Sequence, residues 1–190
     1  MGQKQTKQKV KVPVAPHLSK ETQKRINDIR RNWTPDTLEL NNVNLGDEGV
    51  YLVGDALGKN STLTRLELND NRIGTEGAIA FSGGLKENKN LKWIELMNNH
   101  IGIEGAYALG DSLKTTKALQ RINLRNNQEA YAVSDGLTET KTLKWIDLDS
   151  NSIGNEGAIE LWSALKCNRT LQEMDLDDNN IGDPGVYAVR

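Results

Sequence analysis

The sequence predicts an α/β solenoid, a stack of strand–helix units 28 residues long. Three observations carry this prediction: an internal period, a two-residue alternation of leucines within each period, and a helix-start signal at a fixed distance after it. From Leu63 the chain runs through Leu66, Leu68, Asn71, Ile73, Gly74, Gly77, Leu85 and Asn88. Twenty-eight residues later the same positions hold Leu91, Ile94, Leu96, Asn99, Ile101, Gly102, Gly105, Leu113 and Thr116. The pattern recurs from Leu143 and from Leu171, an upstream copy runs from Leu38, and a shortened copy starts at Leu119, making six in all.

Within a unit, Leu66–Glu67–Leu68 has the period of a short strand with its leucines turned to a core. Asn71 and its equivalents follow, where a buried amide satisfies backbone groups of the turn; Val43 replaces it in the first copy. Asp47, Thr75, Asn155 and Asp183 share one position and are expected to cap helices, with Pro184 at a first helical position and Ile103 as the exception. Glu48, Glu76, Glu104 and Glu156 come next, at the positive end of the helix dipole. All four tyrosines, Tyr51, Tyr107, Tyr131 and Tyr187, occupy one helical position that holds Ile79 and Ile159 in the other copies. Because isoleucine substitutes for them, they are expected to fill space between neighbouring helices rather than serve as phosphorylation sites. Gly74 and Gly77 read as backbone requirements, since no Walker lysine accompanies them.

Composition narrows the class further. At 190 residues, 36% hydrophobic and 26% charged, the chain suits one folded domain with a tail. No apolar run is long enough to cross a bilayer, and the basic start has no apolar core of a signal peptide. The single cysteine, Cys167, suits a reducing compartment and reads as structural; two distant histidines, His17 and His100, give zinc little to bind. No cofactor or metal is expected. Residues 1–32 carry nine Lys or Arg against Glu21 and Asp28, a net of +7, while the remainder carries a net of −9. A basic arm is thus joined to an acidic body.

The segment LTRLELNDNRIGTEGAIAFSGGLKENKN, residues 63–90, and its copies from about 35 to 190 resemble the leucine-rich repeat of the ribonuclease-inhibitor type. That repeat class also occurs in NOD-like receptors and in activators of the Ran GTPase. The resemblance implies a horseshoe with a parallel sheet on its concave face, helices on its convex face, and protein recognition. It carries over no catalytic or GTPase-contacting residue.

On such a fold the residues between buried leucines form exposed columns. One reads Thr37, Arg65, Trp93, Arg121, Trp145, Glu173; the next reads Glu39, Glu67, Glu95, Asn123, Asp147, Asp175. A third holds Asn41, Asn69, Met97, Arg125, Asp149 and Asp177, and a fourth holds Asn42, Asp70, Asn98, Asn126, Ser150 and Asp178. Trp93 and Trp145 on either side of Arg121, with Met97 and the acidic wall of Glu67, Glu95, Asp147, Asp149, Asp175 and Asp177, are the candidate contact with a partner. Exposed tryptophans are favoured interface anchors, and the partner is expected to bring a basic surface. Trp–Arg packing for its own sake is the alternative. Nucleic acid is disfavoured by the sign of the charge. Glu95 and Asp147 could be drawn as an acid–base pair, but an open sheet offers no enclosed pocket, so an enzyme is not expected.

The fourth copy lacks the isoleucine and both glycines of its turn, so a bend or groove is expected there. Val186, Tyr187 and Ala188 begin a last helix, and homo-oligomerisation through that C-terminal end is an expectation. Residues 1–17 form a basic arm and 18–34 a capping helix opened by Ser19, with Trp33 covering the open end of the core. Met1–Gly2 followed by Thr6 fits N-myristoylation at Gly2, and Lys4, Lys7, Lys9 and Lys11 supply the second attraction to an anionic membrane. The expected place is cytoplasmic, peripheral on the inner face of the plasma membrane. The leading reading is a protein-binding scaffold or adaptor. The alternatives are a regulatory subunit or activator acting on a small GTPase, and a structural component joined through its open C-terminal repeat.

Overall fold

A computed structural model describes residues 15–128 and 130–182. Six three-residue strands form one parallel sheet in chain order: β1 (Thr37–Glu39), β2 (Arg65–Glu67), β3 (Trp93–Glu95), β4 (Arg121–Asn123), β5 (Trp145–Asp147) and β6 (Glu173–Asp175). Each strand returns to the next through a helix: α2 (Gly46–Gly58), α3 (Thr75–Glu87), α4 (Gly102–Leu113), α5 (Ser134–Glu139) and α6 (Gly154–Cys167). The helix α1 (Lys20–Arg30) precedes the first strand; Ser19 Oγ accepts from Thr22 N–H at 3.0 Å, and Leu18, Ile26 and Ile29 are buried against the first unit. Paired strands lie about 4.8 Å apart and packed helices about 9 Å apart, so the stack must bend with its sheet inside. This is the α/β solenoid the period predicts.

The core is a series of ladders. Leu38, Leu66, Ile94, Ile122 and Ile146 stack in register, with Leu40, Leu68, Leu96, Leu124 and Leu148 beside them, all buried. The turn asparagines form a second, polar ladder. Asn99 Oδ1 accepts from Asn71 N–H at 3.1 Å and Ile73 N–H at 3.0 Å, while its amide donates to Leu68 O and Leu96 O. Each asparagine therefore satisfies the backbone of its own unit and the one before. Asn60, Asn88 and Asn168 build a similar ladder at the helix ends, as in the 2.6 Å bond from Asn168 Nδ2 to Leu137 O. Residues of the fourth column, Asn42, Asp70, Asn98, Asn126, Ser150 and Asp178, take left-handed φ of 52° to 58°, turning the chain out of each strand. Asparagine and aspartate tolerate this conformation better than most side chains, and they fill five of the six positions.

Several expectations change. The N-caps are Leu45, Gly74 and Ile153, one or two residues before the expected ones, and Asp47, Thr75 and Asn155 make no cap within their own helix. They bridge units instead: Asp47 Oδ1 accepts from Gly74 N–H at 2.7 Å, Thr75 Oγ1 donates to Ile101 O at 2.9 Å, and Asn155 Oδ1 accepts from Gly182 N–H at 2.9 Å. The neighbouring turn lies closer to these side chains than the helix's own donors, which explains the polar residue at this position. Trp33 does not close the core; it is 71% exposed, with the Arg31 guanidinium 5.1 Å from its ring centre. Tyr51, Ile79, Tyr107 and Ile159 do not fill space between helices but stand about half exposed on the outer face. Among the described members of this row, Tyr131 is the one tucked in, packed against the core at the shortened unit. Asp183, Pro184, Val186, Tyr187 and Ala188 lie outside the described residues, as does the C-terminal end assigned to self-association.

Candidate functional site

The strand register aligns the expected columns residue by residue. Thr37, Arg65, Trp93, Arg121, Trp145 and Glu173 are successive partners, and so are Glu39, Glu67, Glu95, Asn123, Asp147 and Asp175. Met97, Asp149 and Asp177 follow just beyond the strand ends, tied by Met97 N–H to Asn69 Oδ1 at 2.8 Å and Asp177 N–H to Asp149 Oδ1 at 2.7 Å. The ten residues named from the sequence thus share one face. Gly2, Lys4, Lys7, Lys9 and Lys11 lie outside the described residues.

The two tryptophans are half-buried rather than exposed. They belong to a stack of alternating cation and ring: the Arg65 guanidinium lies 3.7 Å from the Trp93 ring centre, Arg121 lies 4.4 Å from Trp93, and Arg121 lies 4.6 Å from Trp145. Each contact is worth roughly 0.5–1 kcal/mol at a partly exposed site. The stack spans four consecutive strands, fixing flat aromatic surface across the middle of the sheet.

Charge is distributed less evenly than the column of carboxylates suggests. Arg65 Nε donates to Glu67 at 2.8 Å and its Nη2 lies 3.6 Å from Glu95. Asn41 Nδ2 adds a 2.9 Å bond to Glu67. The N-terminal half of the wall is therefore paired within the face. Burial raises the pKa of Glu95, opposed by the Asn123 amide, by Arg65 and by the Trp93 indole. That indole N–H points to the carboxylate without reaching hydrogen-bond geometry, and neither it nor the buried Arg121 Nε has a hydrogen-bond partner.

At the C-terminal half the balance reverses. Carboxylate oxygens of Asp149, Asp175 and Asp177 lie within 4.8 Å of one another, and Asp147 neighbours them in register with Asp175. Burial pushes the Asp149 carboxyl up to about 6, and repulsion from Asp175 and Asp147 adds to it. Arg125 Nη1 sits 3.0 Å from Asp149, but this guanidinium is itself largely in solvent and does not restore an ordinary value. Asp147 is raised by burial and by Asp175 in the same way. An aromatic–cationic ridge thus ends in a crowded acidic cluster. Among the described residues, no nucleophile–base pair accompanies it. Cys167 is exposed at a helix end, away from this face.

The sequence placed these residues but not their pairing. Arg65, the cation that joins Glu67, Glu95 and Trp93, was one column member among others. The recurrence of Arg, Trp, Arg, Trp at 28- and 24-residue steps was the available signal.

Comparison with known proteins defines the class. Residues 59–82, 87–110, 141–161 and 167–189 match the family model described as Leucine Rich repeat, in keeping with the repeated strand–helix architecture. Among solved structures, the chain is similar to that of "Leiomodin-1 Actin-Binding Site 2 (ABS2)", with a TM-score of 0.55 and 20% identity over 80% of this chain and 77% of that one. It is also similar to a tropomodulin C-terminal domain from Caenorhabditis elegans, with a TM-score of 0.56 and 15% identity over 89% of each chain. At these identities the likeness shows the fold alone. A search of curated proteins finds no significant match.

Proposed function

We propose that the protein is a protein-binding scaffold whose sheet face receives a partner with a basic surface. The observation that carries this reading is the crowding of Asp147, Asp149, Asp175 and Asp177 beside Trp145. These carboxylates repel one another in a partly buried place, although Asp147 and Asp149 each accept a backbone N–H. A lysine or arginine from a partner relieves that repulsion, while the Arg–Trp stack offers preordered flat surface at little entropic cost. Within the repeat class, the 28-residue unit supports the ribonuclease-inhibitor type.

A second reading takes actin, or a protein of actin filaments, as the partner; it is supported by the similar fold of the actin-binding site of leiomodin-1. For the arm, myristoylation of Gly2 with Lys4, Lys7, Lys9 and Lys11 on an anionic leaflet would place the scaffold at a membrane. Assembly through the C-terminal end is the weakest of these readings, because β6 is edged by Glu173, Asp175, Asp177 and Asp178, which repel a second copy of the same edge.

Proximity labelling in eukaryotic cells with wild-type, Asp175→Lys/Asp177→Lys and Gly2→Ala protein tests the scheme. Both aspartates are exposed, so the double variant is expected to fold while losing the principal labelled partner. An unchanged partner set would overturn the sheet-face assignment. Sedimentation with purified actin distinguishes the second reading. Retention of the Gly2→Ala protein at membranes would remove the lipid anchor.

A further inference from the structure

The outer face carries a surface that the sheet-face reading does not use. Tyr51, Ile79, Tyr107 and Ile159 occupy one position of successive full-length helices, and each is 43–48% exposed. Together they make an apolar row running across α2, α3, α4 and α6. One helical turn before each stands an acid on the same side: Glu48, Glu76, Glu104 and Glu156. Among the described residues, Glu76, Glu104, Glu156 and Glu160 have no ion pair within 4.0 Å, and Glu48 faces only the His17 ring at 3.6 Å. The acids one turn further along are different. Asp55 is paired by Arg30 and Lys59, while Lys86 and Lys114 serve Asp111, and Lys114 also serves Asp135. One flank of the apolar row is therefore neutralised internally and the other is left negative.

Two grooves open along this row. The first, about 490 Å³, lies beside Tyr51 and Leu52 and is rimmed by Asp47, Glu48 and Glu76. The second, about 460 Å³, lies between Tyr107 and Ile159 where the shortened unit has a helix of only six residues. There Tyr131, the fourth member of the row, is drawn inward; a side chain at Gly157 would collide with its ring. Ser134, Thr138 and Ser163 line the groove with hydroxyls, and Asp135 and Glu160 with charge. Each groove has room for at least one bulky side chain.

We infer that this outer row is a second docking surface, and that it takes a cationic amphipathic helix of a partner protein laid across the solenoid's helices. Spacing selects the occupant. Neighbouring helices are about 9–10 Å apart, and seven residues of α-helix rise about 10.5 Å, so a helix with apolar anchors every seventh residue meets successive row members. Lysines or arginines on one side of that anchor line reach Glu76, Glu104 and Glu156. Tyr107 and Ile159, on either side of the inward-drawn Tyr131, are two steps apart, and a larger anchor between them fills the groove. These acids, each in the first turn of its helix, thus favour the helix dipole and also face outward where a partner's charge can reach them.

The probe is a designed helical peptide of about 22 residues, with leucines at heptad spacing and lysines flanking them, labelled for fluorescence anisotropy in about 0.15 M salt. The control has the same composition with its leucines spread around the helix. On the full chain the heptad peptide is expected to bind about tenfold more tightly than the control, a difference of ~1.4 kcal/mol. Tyr107→Ser/Ile159→Ser and, separately, Glu76→Gln/Glu104→Gln are each expected to weaken it about tenfold. Glu39→Gln, on the opposite face, is expected to leave it unchanged. All these positions are exposed, and an unchanged circular dichroism spectrum verifies folding. Equal affinity for both peptides, or an unaltered affinity after Tyr107→Ser/Ile159→Ser, overturns the inference. A marked gain in affinity when Lys4, Lys7, Lys9 and Lys11 are changed to Gln also overturns it, because the chain's own arm would then be the occupant.

Discussion

Asp149 is a side chain that the fold holds at an electrostatic cost. Its carboxyl is buried, accepts the Asp177 N–H, and is nonetheless raised from 3.8 to about 6. The folded state therefore holds the proton more tightly than the unfolded chain. The stabilisation this brings is complete below about pH 4 and is lost as pH rises through about 6. The shift corresponds to roughly 3 kcal/mol at neutral pH, from which up to about 1 kcal/mol is deducted for the exposed Arg125 pair. Asp149→Asn keeps an oxygen for the Asp177 N–H and removes the ionisable group. It is expected to be about 2 kcal/mol more stable than wild type at pH 7 and no more stable at pH 4, as read from urea denaturation at both pH values. Equal stability at pH 7 would mean that Arg125 and solvent already neutralise the cluster, and would remove the physical basis for a basic partner at this end of the sheet.

At the scale of elements, the packing of helices depends on two glycine contacts that the repeat alone does not reveal. A Cβ at Gly84 would sit inside the Gly54 carbonyl of the preceding helix, and one at Gly136 would do the same against Gly110. Backbone meets backbone at these crossings, so no side chain can yield. Gly83, one residue earlier on α3, has open space around it. Gly84→Ala is expected to cost about 2–3 kcal/mol by overpacking, whereas Gly83→Ala is expected to gain about 0.5–1 kcal/mol from helix propensity. Thermal or urea melting of the pair checks both signs; a loss at both positions would show that α3 is strained as a whole. The same two residues mark a boundary of what was legible. Strand positions, helix positions and the stacked asparagines followed from spacing because each answers to a local period. Asp47, Thr75 and Asn155 looked like helix caps because capping is the local use of such residues, and their true partners in the next unit lie 26 or 27 residues away. The half exposure of Tyr51 and Tyr107 was missed for a similar reason: one helix's sequence does not specify how far its neighbour stands off.

At the scale of the whole molecule, a repeat array is held by nearest-neighbour interfaces, so its weakest junction decides how it opens. The missing four residues of the fourth unit were evident in the sequence, and the groove expected there is present. What the deletion does to the ladders was not legible, since it depends on which donors the shortened turn withdraws. Asn127 keeps its donor bonds to Leu96 O and Leu124 O, but its Oδ1, buried, receives no hydrogen bond. At the other end of the unit Thr140 stands where the full-length units hold Asn60, Asn88, Thr116 and Asn168; the Thr116 hydroxyl donates to Leu113 O, but that of Thr140, like that of Thr142, is buried without a partner. With Arg121 Nε of β4, four of the five such side-chain atoms among the described residues thus fall in this one unit. Each costs on the order of 1–3 kcal/mol relative to a satisfied group. Its helix is also cut to six residues, after one turn of 3₁₀ helix, against 12 to 14 elsewhere in the array from α2 onward. The array is therefore expected to part at its fourth unit. Native-state hydrogen exchange should show amides of α5, β5 and α6 opening at a free energy several kcal/mol below those of α2, α3 and α4. Both proposed docking faces straddle this junction: the acidic cluster lies after it and the Trp93 half of the stack before it, with Tyr107 and Ile159 on either side. A partner spanning either face would clamp the junction, so binding should raise protection of α5, β5 and α6 more than that of α2 and α3. Uniform exchange along the chain, unaltered by a bound partner, would mean that the shortened unit is as well joined as its neighbours and that its unpaired groups carry no cost.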